Sequence, residues 1–228
     1  MLNKSSPLIV RLKLRLAPYK FCNLYRFLQR FYRIRLPCTK SGLLWHTILE
    51  YYATEGFINL ILSDRALPVP EVCRASSEFF DLSQMRIAHC LGCFGCWVRT
   101  PGRCVIRDDA VRIYPRIAAS RKLLYVSRIW CGSYDLPMKT MLERAIPVQQ
   151  AFIRLWHGET HHLQRNPLPK QALILGYGDI SDEEREIFRQ LVSRNAHNMN
   201  FEEYRIVFTS EEELETIFQK EAIARANS

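Results

Sequence analysis

From Phe57 onward, short apolar runs alternate with longer segments in which apolar positions recur every three to four residues. The short runs at 57–62, 78–82, 122–127, 171–175 and 203–209 are too brief for helices and carry little polar alternation, so they predict buried strands. The longer segments predict helices. One covers 43–55 and stops at Gly56; another is capped by Asp108 and Asp109 and reaches Ala119, with Pro115 shortening or kinking it. A third runs from about Leu136 to Ile146 before Pro147, and a fourth opens with the capping box Ser181-Asp-Glu-Glu184 and extends to about Arg194. Ser210 to Glu213 caps the last helix in the same way, and 63–77, with Pro68 and Pro70, reads as loop. Strand and helix in alternation predict an α/β fold: a doubly wound parallel sheet of about five strands with helices on both faces. Such sheets bind ligands where the strands end at their carboxyl termini, here the exits carrying the cysteine-rich loop, residues 129–134 and Gly176.

Composition changes this picture in one place. The 228 residues are 48% hydrophobic, enough for a full core, and no uncharged apolar stretch is long enough to span a membrane. The net charge of +9 resembles a polyanion-binding signature until it is mapped: ten Lys and Arg precede Glu50 with no acid among them, leaving the rest of the chain at −1. The sequence therefore divides into a basic extension, 1–40, and a near-neutral domain, 41–228, with no nucleic-acid partner expected for the domain. The extension has the composition of a transit segment or membrane-surface helix, and equally of a solvated amphipathic helix, an unstructured tail or a mis-set start. It lacks the apolar core and cleavage site of a secretory signal, so a cytoplasmic setting is expected and disulfides are an improbable use of the eight cysteines.

Four of those cysteines, Cys90, Cys93, Cys96 and Cys104, share one loop punctuated by Gly and Pro. Thiolates repel one another, so this spacing suits a cation or cluster that collects them. An iron–sulfur cluster, a zinc ion and metal-free structural or redox thiols all remain open readings. Arg99 and Arg103 would offset a cluster's negative charge, or simply face solvent. Cys22, Cys38 and Cys73 carry no spacing signal. His161 and His162 with Glu159 suggest a metal site or proton donor, against the simpler reading of surface residues on a polar loop.

The run from Cys90 to Trp97 (Cys-Leu-Gly-Cys-Phe-Gly-Cys-Trp), the segment 101–109, Leu123-Leu-Tyr-Val-Ser127 with Gly132-Ser-Tyr134, and Met138 to Arg144 resemble the NAD(P)H-dependent FMN reductase family, and within it the iron-sulfur flavoproteins. Gly158 to His162 and Ala172 to Gly176 extend the resemblance over roughly 78–209. It implies a flavodoxin-like fold, FMN as cofactor, NAD(P)H or a reduced carrier as electron donor, a small-molecule or protein acceptor, and a homodimer. It also implies that Cys90, Cys93, Cys96 and Cys104 hold a 4Fe-4S cluster. Ile129, Trp130, Cys131, Gly132, Ser133 and Tyr134 fall on the loop that lies against the isoalloxazine ring in the family. An aromatic beside glycine suits that task, because a flat ring can stack while backbone approaches its polar edge.

Two positions depart from the family pattern. The Gly-Ser-Pro-Arg-like turn that cradles the FMN phosphate at a helix N-terminus is missing. Thr39 and Ser41, ahead of the helix at Leu43, are the preferred substitutes, because Asp64 in the alternative segment Ser63-Asp-Arg65 would repel a phosphate. Arg128 stands where the family often has proline. The competing expectation is a non-catalytic flavodoxin-like scaffold with a structural cysteine metal site and a degenerate phosphate loop.

Overall fold

The computed structural model describes residues 59–156, 158–165 and 168–227; Thr39, Ser41 and the helix expected at 43–55 lie outside them. Along the chain run β1 (Asn59–Ser63), α1 (Glu71–Arg74), β2 (Ser77–Asp81), α2 (Gly95–Val98), α3 (Ala110–Ala119), β3 (Lys122–Trp130), β4 (Ser133–Tyr134) and α4 (Leu136–Glu143). There follow β5 (Gln149–Trp156), β6 (Glu159–Gln164), β7 (Lys170–Tyr177), α5 (Asp182–Met199), β8 (Phe201–Thr209) and α6 (Leu214–Ala226). Five strands pair in parallel in the order β2-β1-β3-β7-β8. This is the doubly wound flavodoxin-like sheet, with the expected strands in the expected places.

Strands β1, β3 and β7 are apolar through their middles because both faces are covered there. On one face Leu60, Leu62, Leu123, Tyr125 and Ile174 meet α3, α4 and α5 through Ile113, Ile117, Met138, Met141 and Phe188. Their sequence neighbours Ile61, Leu124, Val126, Leu173 and Leu175 meet Cys73 of α1 and Leu214 and Phe218 of α6 on the other. Burying each of these side chains contributes roughly 1.5–3 kcal/mol, which fixes the strand register against a one-residue slip.

The helices differ in detail from the sequence expectation. Helix α3 runs through Pro115 without a break, held by the burial of Ala110, Ile113, Tyr114 and Ile117 on the sheet. Asp108 caps it, accepting from the Ala110 amide, whereas Asp109 accepts from the amide of Arg86. Helix α4 stops at Glu143, and Pro147 sits in a separate short 3-10 turn. The capping box at Ser181 and Glu184 forms as expected, but α5 continues to Met199, where Asn200 adopts a left-handed conformation. Ser210 accepts from the Glu213 amide ahead of α6. One helical turn, α1, interrupts the loop expected over 63–77. Residues 149–164 form an antiparallel β5–β6 hairpin outside the main sheet, so His161 and His162 lie on a strand and not on a polar loop.

Lys170, at the start of β7, is 2% exposed and donates to the carbonyls of Ala118, Ser120 and Leu168, closing the carboxyl end of α3. Burial pulls its pKa down to about 8. Because the folded state releases this proton before the unfolded chain does, Lys170 makes stability rise between about pH 8 and the unfolded lysine value, by up to about 1.4 kcal/mol per pH unit. Burial pushes the pKa values of Tyr125 and Tyr134 up, which reverses the trend above the ordinary tyrosine range. Urea unfolding across this range should show the rise, and Lys170→Met should abolish it.

Candidate functional site

The carboxyl rim of the sheet is built around the end of β3. This strand runs on to Trp130 and turns back through Cys131 and Gly132 into β4, pairing Ile129 with Tyr134 and Trp130 with Ser133. The expected ring-side loop is therefore a two-residue hairpin. Both turn residues have positive φ, 49° at Cys131 and 68° at Gly132, the backbone of a type I′ turn. Trp130 is 62% exposed with the Arg128 guanidinium over its ring, Cys131 is exposed, and Ile129 and Tyr134 are buried beneath. At Gly132 an added Cβ would lie 2.6 Å from Ile187 Cγ2, on top of the left-handed cost. Gly132→Ala should therefore lose about 2 kcal/mol in chemical unfolding, with the loss centred on this hairpin in hydrogen exchange. The Glu184 carboxylate is held below its usual range by the Ser181 amide and hydroxyl and by the backbone amides of Cys131 and Gly132.

Beside this hairpin, β1 ends in Ser63 and Asp64, both buried. Asp64 Oδ2 accepts from the Arg128 amide at 2.6 Å and Oδ1 accepts from the Tyr177 hydroxyl at 2.9 Å. Burial raises the Asp64 pKa against these bonds. Arg65 pairs with Glu211 at 2.7 Å. Asp64 and Arg128 are thus tied to each other: proline at position 128 would have no amide to give, whereas Arg128 supplies the donor that holds the Asp64 carboxylate. The only helix between β1 and β2 among the described residues is α1, a single turn starting at Glu71. The described residues therefore fit the flat face of a ring, through Trp130 and its turn, and do not fit the phosphate of FMN at the end of β1.

The cysteine loop leaves β2 through a 3-10 turn and surrounds a cavity of about 210 Å³ lined by Cys90, Cys93, Cys96 and Cys104. Cys96 is buried, Cys104 half-buried, and Cys90 and Cys93 exposed. Burial raises the Cys96 pKa, and the nearby charges of Cys104, Cys90 and Cys93 raise it further, so a cation would be needed to hold all four as thiolates. Among the described residues no three of these thiols lie within 4.8 Å of one another. The loop closes on itself through Gly102 N to Cys96 O and Thr100 Oγ1 to Arg103 O. The wall behind it is Arg144, 1% exposed, bonded through both terminal nitrogens to Asp108 and also to the carbonyls of Ala88 and Ile106. Nothing in its sequence context, Glu-Arg-Ala, marks Arg144 as part of this site.

Across Ile146 lies a second cavity of about 310 Å³, reached by Ser133, Tyr134, Lys139, Glu143 and Asn198. No stretch of sequence marks this hollow, because its walls come from β3, β4, α4 and α5 together.

No protein-family model matches this chain, and no curated protein matches it. Solved structures of similar fold include Smu.1420 from Streptococcus mutans UA159, at a TM-score of 0.50 and 11% identity over 75% of this chain and 100% of that one. The azoreductase from Bacillus anthracis str. Sterne superposes with a TM-score of 0.49 and 12% identity over 75% of this chain and 99% of that one. The NAD(P)H:quinone oxidoreductase from Methanothermobacter marburgensis gives a TM-score of 0.48 at 12% identity, covering 75% of this chain and 98% of that one. The likeness to Smu.1420 is one of fold, the doubly wound α/β sheet described above.

Proposed function

We propose that this chain is a flavin-dependent oxidoreductase that takes electrons from NAD(P)H or a reduced carrier protein and delivers them to a small-molecule or protein acceptor. The observation that carries this reading is the turn at Trp130, Cys131 and Gly132, where an exposed aromatic and a close-approaching backbone sit at the carboxyl end of the central strand. FMN, when bound, supplies the hydride-accepting ring that can release electrons singly. The residues of the chain position it. Trp130 offers the stacking face and Arg128 a positive charge over the same ring system. Thr39 and Ser41 are the proposed phosphate contacts.

Cys90, Cys93, Cys96 and Cys104 are the proposed ligands of a 4Fe-4S cluster beside the flavin, supported by the one cavity they line together. Arg144, Arg99 and Arg103 offset its negative charge. Strand β5 exposes Phe152, Ile153 and Leu155, and the cysteine loop exposes Leu91, Phe94 and Val98; this apolar surface is the face a homodimer would bury. A cytoplasmic setting is part of the proposal; the six described cysteines are free thiols. No described helix is long and apolar enough to cross a membrane.

A specific observation favours a second reading. Asp64 places a carboxylate where the family's phosphate loop would lie, as in a scaffold that has lost FMN and keeps its cysteines for a structural metal. Anaerobic purification with an absorption spectrum and analysis of flavin, iron, sulfide and zinc separates the two. Flavin with stoichiometric iron and sulfide supports the oxidoreductase; colourless protein with zinc supports the scaffold. Cys93→Ser should lose most of the bound iron, and full retention would remove Cys93 from the ligand set.

A further inference from the structure

We infer that Glu159, His161 and His197 form a binding site for a divalent transition-metal ion of the zinc type, which pins the β5–β6 hairpin to the last turn of α5. One carboxylate and one ring nitrogen from each histidine lie within 4.8 Å of one another, and no other such group occurs among the described residues. Glu159 Oε2 stands 3.1 Å from His161 Nε2 and 3.7 Å from His197 Nδ1. Two ligands on one tetrahedral zinc, each at about 2.0–2.2 Å, stand roughly 3.3 Å apart, so these separations already match a shared ion.

The surroundings set the ligands for that task. His161 is buried, and its Nδ1 lies 3.0 Å from the Asn198 side-chain oxygen, an atom that can only accept. With the ring proton on Nδ1 toward Asn198, the Nε2 lone pair faces Glu159 Oε2, and a cation placed between these two atoms would be held by both. A histidine whose far nitrogen is bonded to an amide or carbonyl oxygen is the usual arrangement around a bound metal. The other Glu159 oxygen is held by Arg194, which fixes the carboxylate and leaves Oε2 for the ion. The side chains of Glu159 and His197 are 36% and 29% exposed, so a fourth position opens to solvent.

Neighbouring residues on a strand point to opposite faces, and β6 uses both. While His161 faces α5, His162 packs its ring 4.6 Å from that of Trp97 in α2, between Cys96 and Cys104. An ion on His161 thereby holds the strand against which the cysteine loop packs.

The test uses the full-length protein titrated with Co²⁺, whose d–d bands report nitrogen and oxygen ligands and whose near-ultraviolet sulfur-to-cobalt band reports thiolates. Wild type should show the d–d bands of nitrogen and oxygen ligation for one equivalent, whatever sulfur band the cysteine site adds, and Cys93→Ser should keep them. Glu159→Gln and His197→Ala, both at half-exposed positions, should weaken this binding by at least about tenfold while far-ultraviolet circular dichroism is unchanged. Zn²⁺ should displace the cobalt and raise the melting temperature of wild type but not of His197→Ala. The inference is overturned if cobalt binds only with the sulfur band, if Glu159→Gln and His197→Ala bind as wild type does, or if no metal binds at all. In the last two cases Arg194 or a proton is the cation that Glu159 serves. None of these results depends on flavin or iron, so the site stands or falls separately from the proposed function.

Discussion

Arg144→Met should lower the unfolding free energy by about 3–5 kcal/mol and, if the four cysteines hold the proposed cluster, empty that site. The guanidinium is 1% exposed, and the partner it would abandon, Asp108, has a side chain only 14% exposed. Breaking a buried pair leaves one charge without compensation, and that cost exceeds whatever the intact pair contributes. Here the pair also organises the loop. Arg144 grips the carbonyls of Ala88 and Ile106, on either side of Cys90 and Cys104, while Asp108 accepts from the Ala88 amide and caps α3. Burial pushes the Asp108 pKa up, but the Arg144 hydrogen bonds and the Ala88 amide outweigh it and bring it below the usual carboxylate value. A depressed carboxylate contributes stability above its unfolded pKa, so this contribution is present at neutral pH and is lost as pH falls through the acid range. Urea titrations at pH 7 and pH 4 should show a wild-type advantage over Arg144→Met that shrinks with acid. Arg144→Lys should recover under half of it, since an ammonium cannot fork two carboxylate oxygens and two carbonyls.

The second large effect concerns Asp64. Asp64→Ala should lose about 3 kcal/mol, because the Tyr177 hydroxyl and the Arg128 amide are both left without their acceptor in a buried corner. Asp64→Asn is milder, about 1 kcal/mol: its oxygen can still take the Tyr177 proton, and only the Arg128 amide loses its partner. The informative measurement is flavin affinity. A unit charge about 10 Å from a phosphate is worth about 1.7 kcal/mol at an effective dielectric of 20. If FMN seats its phosphate toward β1, Asp64→Asn should tighten FMN on the order of tenfold and leave riboflavin unchanged, read by quenching of flavin fluorescence. An unchanged ratio moves the phosphate to the side of Thr39 and Ser41.

The central sheet was legible because β1, β3 and β7 are buried on both faces, which forces continuous apolar runs such as Leu123-Leu-Tyr-Val126. Strand β5 escaped notice for the opposite reason: Phe152, Ile153 and Leu155 are exposed, so they follow neither a two-residue nor a helical period. The four cysteines announced themselves by spacing alone. Arg144 could not, because what makes it part of the site is Asp108, distant in sequence, brought to it by the packing of α3 and α4 on one face of the sheet. His197 is silent for the same reason: it sits in the last turn of α5, and only the hairpin brings Glu159 and His161 to it. Asp64 and Arg128 were visible as oddities, and only the bond between them explains why they occur together.

Among the described residues, strand β8 lies at one border of the sheet with Glu202, Glu203 and Arg205 turned to solvent, and Arg205 is tied to Glu221 of α6. A strand from another molecule laid along this border would have to bring its own backbone past that row of charges, each of which would lose hydration. This row of charges therefore works against growth of the sheet by edge addition along β8.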